Sequence, residues 1–253
     1  MEQKELATAL AGGMFETRFQ PLVLLEDGSP AAFEVLARLN HPKLGWVSPE
    51  RFVPQAEQSG LAAELARQVI SSAFRDVQHA GIGALGLPFG LNLSLEVVLV
   101  PALMDELDTM RDHAALPASQ LIIELTESQP VTDLGRLERA LLDLRSAGYR
   151  AVIDDISPTV AGVAELLLLP FYGVKLDKSL LMSDESAAFI ADVVATAKER
   201  DLSVTAEGIE DIPHWHRARR VGARLGQGFF FAEPMPAEAV PAWIASWHPP
   251  NLA

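Results

Sequence analysis

The sequence predicts an α/β fold, a (β/α)8 barrel whose first strand is antiparallel to its neighbour. Eight apolar segments have the length and composition of strands, and stretches with helical periodicity lie between most of them. A DGSP turn joins the first two segments, which is typical of an antiparallel hairpin. Polar residues recur near the ends of these segments, and barrels of this class assemble their sites at the carboxyl ends of the strands.

The predicted elements follow one another without a linker or a change in composition, so we expect one barrel domain. The strands are predicted at 18–25, 31–39, 88–93, 120–125, 150–155, 172–177, 202–206 and 225–231. Helical periodicity covers 61–80, 134–144 and 185–200, and Asp133 is available to cap the second of these helices. We expect residues 1–14 to form an N-terminal arm and residues 15–253 to form the barrel.

Composition excludes several classes of function. The 253 residues carry a formal charge of −14 and include no cysteine. An acidic chain is poorly matched to DNA or to an anionic membrane, and a chain without thiols has no disulfides, thiolate zinc sites or cysteine nucleophiles. No apolar run approaches the roughly 20 residues that span a bilayer, and the start lacks the apolar core of a signal peptide. We therefore expect a cytoplasmic protein that binds neither DNA nor membrane.

Eight polar residues near the ends of the apolar segments form the candidate site. They are Glu34, Asn92, Glu124, Asp154, Asp155, Lys175, Glu207 and Gln227. Six of them fall near a predicted strand end, whereas Glu34 and Asn92 lie somewhat inside their segments. Because the carboxyl ends of barrel strands meet at one mouth, a single site would explain all eight.

The chemistry of these residues indicates divalent metal ions and cleavage of a phosphoester. Carboxylate and amide oxygens without histidine or cysteine suit Mg²⁺ or Mn²⁺. The adjacent Asp154 and Asp155 can bridge two ions. Lys175 can orient an attacking water or balance phosphate charge, and Glu207 can accept the proton of that water. The planar fork of Arg38 fits phosphate oxygens.

Some of these residues also have a purely structural interpretation. Glu34 could face solvent from its strand, and Asn92 could cap the helix that follows it. Glu124 and Glu127 lie at a strand-to-helix junction, where both could serve as residues of the first helical turn. The aspartate pair and Lys175 favour a site more strongly, because charged groups in apolar segments are costly without partners.

The motifs together resemble those of the EAL domain family. RFQPLVLL, FEVLARLNHP, LNLS, ELTES, DDI, VKLDKSL, AEGIE and QGFFFAEPMP occur in the order and spacing of that family, from about residue 15 to about residue 240. The resemblance implies a modified TIM barrel that binds cyclic di-GMP. It also implies hydrolysis of one phosphodiester to linear pGpG with two Mg²⁺ or Mn²⁺ ions.

The resemblance assigns a role to each matching position of this sequence. Glu34, Asn92, Glu124 and Asp154 would hold the first metal, and Asp154 with Asp155 would hold the second. Lys175 and Glu207 would hold and deprotonate the attacking water, supported by Gln227. Gln20, Leu36 and Arg38 would contact the ligand, Asp177 and Pro234 would line a guanine pocket, and Glu127 would anchor the loop after the aspartate pair.

Two departures from the family pattern bear on activity. Val35 stands where the family signature has alanine, and DDISPTVAG stands where active members read DDFGTGYSS. Pro158 fixes φ at about −65° in a loop where the family has glycine freedom. We therefore expect a slow phosphodiesterase. The alternatives are a cyclic di-GMP receptor that signals through an unidentified protein partner, and an interaction module that has lost the ligand. Family members often dimerise through this loop region, and because the loop is altered here, the resemblance leaves a homodimer, an unusual dimer and a monomer as open alternatives.

Overall fold

The computed structural model describes residues 3–126 and 133–249, which contain a closed barrel of eight strands with one further strand beside it. The strands are β1 (Phe15–Leu24), β2 (Pro30–His41), β3 (Gly45–Val47), β4 (Phe89–Ser94), β5 (Leu121–Thr126), β6 (Arg150–Ile156), β7 (Gly173–Leu176), β8 (Ser203–Ala206) and β9 (Leu225–Gln227). Around the barrel they run β1, β9, β8, β7, β6, β5, β4 and β2, and β2 pairs with β1 to close the ring. The short β3 pairs with the far end of β2.

Helices alternate with the strands and cover the outside of the barrel. In the described residues they are α1 (Gln3–Ala11), α2 (Pro49–Gln58), α3 (Ala62–His79), α4 (Leu95–Val98), α5 (Pro101–His113), α6 (Leu134–Ser146), α7 (Val163–Leu166), α8 (Lys178–Met182), α9 (Ala187–Glu199), α10 (Ile212–Arg220) and α11 (Val240–Ser246). None of them is both long and apolar enough to cross a membrane. Asp133 caps α6 as expected, since its Oδ1 accepts a 2.9 Å hydrogen bond from the Arg136 amide.

The first strand runs against its neighbours, as the DGSP turn predicts. β1 pairs antiparallel with β2 from Phe15↔Leu39 onward and antiparallel with β9. The neighbouring strands from β2 through β4 to β9 pair parallel to one another. At the turn, Gly28 has a φ of 74°, which costs little without a Cβ. Asp27 accepts a 2.9 Å hydrogen bond from the Ser29 amide and fixes the reversal.

The main apolar core lies between the barrel wall and its helices. Phe33 of β2 and Phe89 of β4 are almost fully buried, with ring centroids 6.5 Å apart. Trp243 of α11 meets Phe33 edge to face, with ring centroids 5.8 Å apart, so the last helix packs onto the barrel. Burial of rings of this size is the dominant stabilising contribution to such a domain.

A second apolar cluster attaches the start of the chain to the outer side of β2. Leu6 and Leu10 of α1 are buried together with Phe15, Leu39 and Phe52. The helix α1 therefore packs against the segment of β2 that lies beyond the barrel. The domain boundary at residues 14 and 15 stays a prediction.

All eight predicted strands are present, and the differences from prediction are local. The last strand ends at Gln227 rather than at residue 231. Gly228 follows it with a φ of 158°, and a Cβ at this position would collide with the backbone of Ile209, so only glycine fits there. β3 was not predicted, since three residues are too short to show alternation of apolar and polar side chains.

Candidate functional site

The eight candidate polar residues meet at the barrel mouth because parallel strands bring their carboxyl ends together. Asn92 of β4 and Glu124 of β5 are directly paired in register, so their side chains lie on the same face. Gln20 of β1 is paired with Glu34 of β2 in the same way. Glu34 and Glu124 are 5% and 3% exposed, which excludes a solvent-facing position for either glutamate.

Lys175 of β7 is the centre of the site. Its side chain is buried, and its ammonium lies 2.7 Å from Glu207 Oε1, 2.8 Å from Glu124 Oε2, 3.1 Å from Asp154 Oδ1 and 3.3 Å from Glu34 Oε2. A buried lysine without an anionic partner would be strongly disfavoured. Four carboxylates therefore explain how an apolar strand can contain this residue.

Two amides hold Glu34 from both sides. Asn92 Nδ2 donates to Oε1 at 2.6 Å, and Gln227 Nε2 donates to Oε2 at 2.6 Å. Gln227 Nε2 also lies 3.1 Å from Gln20 Oε1, and Gln20 Nε2 donates to the carbonyl oxygen of Ala232 at 3.2 Å. These bonds fix the Glu34 carboxylate in one orientation, which is what a metal ligand requires.

The pKa of Glu34 is shifted in the opposite direction to the pKa values of the other acids in the cluster. Burial by itself would raise the pKa of Glu34, but the Lys175 ammonium and the two amides outweigh it and lower that pKa below its ordinary value. Burial raises the pKa of Glu124 to about 8 despite Lys175, and it raises the pKa of Asp154 and, strongly, that of Glu207. The buried carboxyl groups therefore outnumber the single ammonium that could neutralise them when no metal is bound.

Asp155 has an unusual backbone conformation at the end of β6. Its φ is 53°, and its amide donates to Asp154 Oδ1 at 2.9 Å. Pairing of β6 with β7 is irregular between Ile153 and Ile156, which rotates the two aspartates relative to the rest of the strand. The residue is exposed, yet loss of hydration on the cleft side, followed by the charge of Asp154, raises the pKa of its carboxyl to about 6.

The residues present fit divalent ions. Carboxylate oxygens of Glu34, Glu124 and Asp154 lie within 4.8 Å of one another, as do those of Asp154, Asp155 and Glu207. Five carboxylates around one ammonium leave a formal excess of four negative charges, which two divalent cations would balance. The amide Oε1 of Gln227 is buried without a hydrogen-bond partner in the described part of the chain. Oxygen donors of this kind are those that Mg²⁺ and Mn²⁺ prefer.

A cleft of about 690 Å³ covers the acidic cluster. Of the residues expected to contact a ligand, it is lined by Gln20, Leu36 and Asp177. Arg38 and Pro234 are not among the residues that line it, and their role stays a prediction. Asp177 also caps α8, since its Oδ1 accepts a 2.8 Å bond from the Ser179 amide. Glu127, expected to anchor a loop, lies outside the described residues.

The cleft also contains residues that sequence reasoning missed. Lys178 adds a cation next to Asp177, and Phe229 presents a ring that is 62% exposed. The Phe-Phe-Phe run after Gln227 was a usable signal, because three consecutive aromatic residues cannot all face the core. A side lobe opens where the pairing of β2 with β4 ends at Val35↔Leu91, and it is lined by apolar residues of α2 and α3.

The chain is similar to known proteins in both sequence and structure. The model of the EAL domain family matches residues 3–234. Cyclic di-GMP phosphodiesterase RocR of Pseudomonas aeruginosa is 31% identical over 244 residues, which cover 92% of this chain and 61% of that protein. Oxygen sensor protein DosP of Escherichia coli is 28% identical over 246 residues, which cover 95% of this chain and 31% of that protein. The chain thus spans between 31% and 61% of the length of these curated relatives.

Solved structures share the fold over nearly the whole chain. The PaMucR phosphodiesterase in complex with c-di-GMP has a TM-score of 0.85 and 28% identity, covering 94% of this chain and 98% of that one. The EAL enzyme Bd1971, with cAMP and cyclic di-GMP bound, has a TM-score of 0.87 and 26% identity, covering 96% of this chain and 68% of that one. The EAL domain of FimX from Pseudomonas aeruginosa, bound to c-di-GMP, has a TM-score of 0.80 at 23% identity and supports the fold alone.

Proposed function

The chain belongs to the EAL domain family, and from that premise we propose that it is a cyclic di-GMP phosphodiesterase that produces linear pGpG. The observation that carries the proposal is the buried cluster of acids around Lys175 at the barrel mouth. A receptor needs groups that recognise a ligand, but it has no need for carboxylates held at raised pKa beside a lysine. Relatives that are named as cyclic di-GMP phosphodiesterases support the same substrate.

In the proposed reaction the protein supplies ligands, orientation and a base. Glu34, Asn92, Glu124 and Asp154 would hold one Mg²⁺ or Mn²⁺, and Asp154 with Asp155 would hold a second. Bound ions of this kind polarise the phosphoryl oxygens and lower the pKa of water. Lys175 holds the carboxylates in place and would orient the attacking water.

Glu207 would receive the proton of the attacking water. Its side chain is 19% exposed, and burial raises the pKa of its carboxyl above the ordinary value, which makes the carboxylate a stronger base than that of an exposed glutamate. Water oxygen bonds to phosphorus while the bond from phosphorus to the 3′ oxygen breaks. The leaving 3′ oxygen takes a proton from solvent, which yields a linear dinucleotide with a 5′ phosphate.

We propose that turnover is slow because the chain after Asp155 is stiff. Ile156 is fully buried, and Pro158 follows within two residues. Proline removes the conformational freedom that a glycine would give to a loop beside a metal ligand. Replacing residues 156–163 by a glycine-bearing loop is expected to raise the rate, and an unchanged rate would exclude this loop as the limiting feature.

The test is incubation of purified protein with cyclic di-GMP and Mg²⁺ or Mn²⁺, with chromatography for pGpG and calorimetric binding in parallel. Glu34→Ala is expected to lose metal-dependent product, whereas Glu199→Ala, an exposed position at the end of α9, is expected to retain it. Tight binding without product in the unmodified protein would indicate a receptor instead. Equal turnover in Glu34→Ala would remove Glu34 from the mechanism.

A further inference from the structure

Beyond the barrel mouth, β1, β2 and β3 form a three-stranded ribbon with one face continuous with the ligand-facing surface. Pairs in register point to the same side, and residues two apart along a strand share a face. The face that starts with Gln20↔Glu34 in the cluster continues through Arg18↔Leu36 and Glu16↔Arg38 to Asn40↔Trp46. Leu36 still lines the cleft. At about 3.3 Å per residue, Asn40 lies roughly 20 Å along β2 from Glu34.

An exposed tryptophan lies at the outer end of this face. Trp46 is 57% exposed, an unusual degree for the largest apolar ring. The guanidinium of Arg18 lies over the ring, with its carbon 5.6 Å from the ring centroid. Arg18 is itself held by Glu16 at 3.0 Å and by the carbonyl oxygen of Thr17 at 2.9 Å. The Arg18 guanidinium thus holds the indole of Trp46 in place, and the exposed part of the ring is available for a planar group to stack on.

The same face has cations available for an anionic ligand. The Arg38 guanidinium donates a 2.8 Å hydrogen bond to the carbonyl oxygen of Ala37. In the described part of the chain, no carboxylate lies within ion-pair distance of this guanidinium. Arg18 and Arg38 belong to neighbouring register pairs of this face, Arg18↔Leu36 and Glu16↔Arg38. Burial, followed by the charge of Arg18, lowers the pKa of Arg38, while the charge of Glu34 acts in the opposite direction. In a chain with a formal charge of −14, such a pair next to the cleft favours a phosphodiester or a purine edge.

We propose that Trp46, positioned by Arg18, is a stacking subsite for the base of the cyclic dinucleotide that projects out of the cleft. The proposal rests on the proposed function, and it adds a binding residue outside the catalytic cluster. Aromatic stacking accepts any base, because every base has a π face. Trp46 would therefore add affinity, while the choice of guanine would be made inside the cleft.

Calorimetric binding of cyclic di-GMP and steady-state hydrolysis of the same ligand test this subsite. Trp46→Ala is expected to weaken binding and raise KM roughly 10-fold, the loss typical of one base stacked on one aromatic ring. The kcat value should change less than twofold, because the ring lies far from the reacting phosphate. Trp46→Phe should retain part of the affinity, and Arg18→Lys, which keeps the charge but loses the planar group, should lower it by a few-fold. Ile212→Ala removes a comparably exposed residue from α10 and should change nothing.

A base-free diester separates this proposal from the catalytic one. Bis(p-nitrophenyl) phosphate carries no nucleoside, and its rings are too close to its phosphate to reach from the acidic cluster to the outer end of the ribbon, so its hydrolysis should be equal in unmodified protein and in Trp46→Ala. If no substrate is cleaved but Trp46→Ala still weakens cyclic di-GMP binding, the subsite stands and the catalytic proposal fails. If cyclic di-GMP is cleaved with the same KM and bound with the same affinity in Trp46→Ala, the subsite is overturned while the catalytic proposal stands.

Discussion

Replacing Glu124 by glutamine is expected to make the metal-free protein more stable and the metal-bound protein weaker in metal binding. Glu124 is buried, with its Oε2 2.8 Å from Lys175 Nζ. Glutamine has the same shape, and its carbonyl oxygen can accept the same bond from Lys175. Glutamine lacks the negative charge of the ionised glutamate. Without metal, that charge is repelled by the other carboxylates of the cluster, whereas a bound cation is attracted to it.

The magnitude follows from the raised pKa of Glu124, about 8 against an ordinary 4.5. A carboxyl whose pKa is higher in the folded state binds its proton more tightly there. The unfolded chain loses that proton above pH 4.5 and the folded chain only near pH 8, so stability falls as pH rises through this window. The slope is about 1.4 kcal/mol per pH unit, which makes the cost on the order of 3 kcal/mol at pH 7. Glutamine has no such proton and avoids this cost.

Urea unfolding at pH 5, 6, 7 and 8, in EDTA and in Mg²⁺, measures the effect. In EDTA the gain in unfolding free energy from Glu124→Gln should grow with pH. In Mg²⁺ the unmodified protein should gain more than the variant, because binding to the folded state alone stabilises it by about 2.7 kcal/mol at 100 times Kd. Parallel pH curves in EDTA, or an equal gain from Mg²⁺, would refute this account of the cluster. Glu199→Gln, on an exposed surface, should follow the unmodified protein throughout.

Two further variants address single groups. Asp155→Asn keeps a residue that tolerates the left-handed φ of 53° and removes the carboxylate, so unfolding free energy should change by less than about 0.5 kcal/mol while Mn²⁺-dependent turnover falls at least roughly tenfold. The pKa of Asp155 is about 6, so metal affinity of the unmodified protein should rise from pH 5 to pH 7 as that proton is lost, and this rise should be smaller in Asp155→Asn by calorimetry. Tyr149→Phe leaves Asp108 without the 2.5 Å bond from the tyrosine hydroxyl and should lower the unfolding free energy by about 1 kcal/mol in urea, with turnover unchanged. Tyr172→Phe, at an exposed ring, is its control, and equal stability of the two variants would contradict the assignment of the Tyr149 bond.

The barrel and the cluster were predictable because both depend on strand polarity. Apolar runs gave the strands, and parallel strands must present their carboxyl ends together, so the residues at those ends meet. Asn92 and Glu124 show this directly, since they are register partners. The expectation that a buried Lys175 requires anions was also confirmed, by four carboxylates.

Features that depend on backbone detail were not predictable. The φ of Asp155 arises from an irregularity between β6 and β7 that no residue pattern marks. The ribbon that presents Trp46 depends on β3, whose three residues are too short to show periodicity. The apolar side lobe opens where the hydrogen-bonded pairing of β2 with β4 ends at Val35. The residue at which two strands stop pairing cannot be predicted from the sequence pattern of either strand.

The reversed direction of β1 has a consequence for the whole molecule. Because β1 is antiparallel, it begins at the mouth, and α1 therefore lies at the ligand-facing end of the barrel. Leu6 and Leu10 of α1 pack with Leu39 on one side of the ribbon, while Arg38 and its neighbours occupy the other. Ligand on one side should therefore slow amide hydrogen exchange in the helix on the other, since both depend on the same strands being formed. In a barrel whose first strand ran parallel to the rest, α1 would lie at the opposite end of the barrel, away from the ribbon and the ligand.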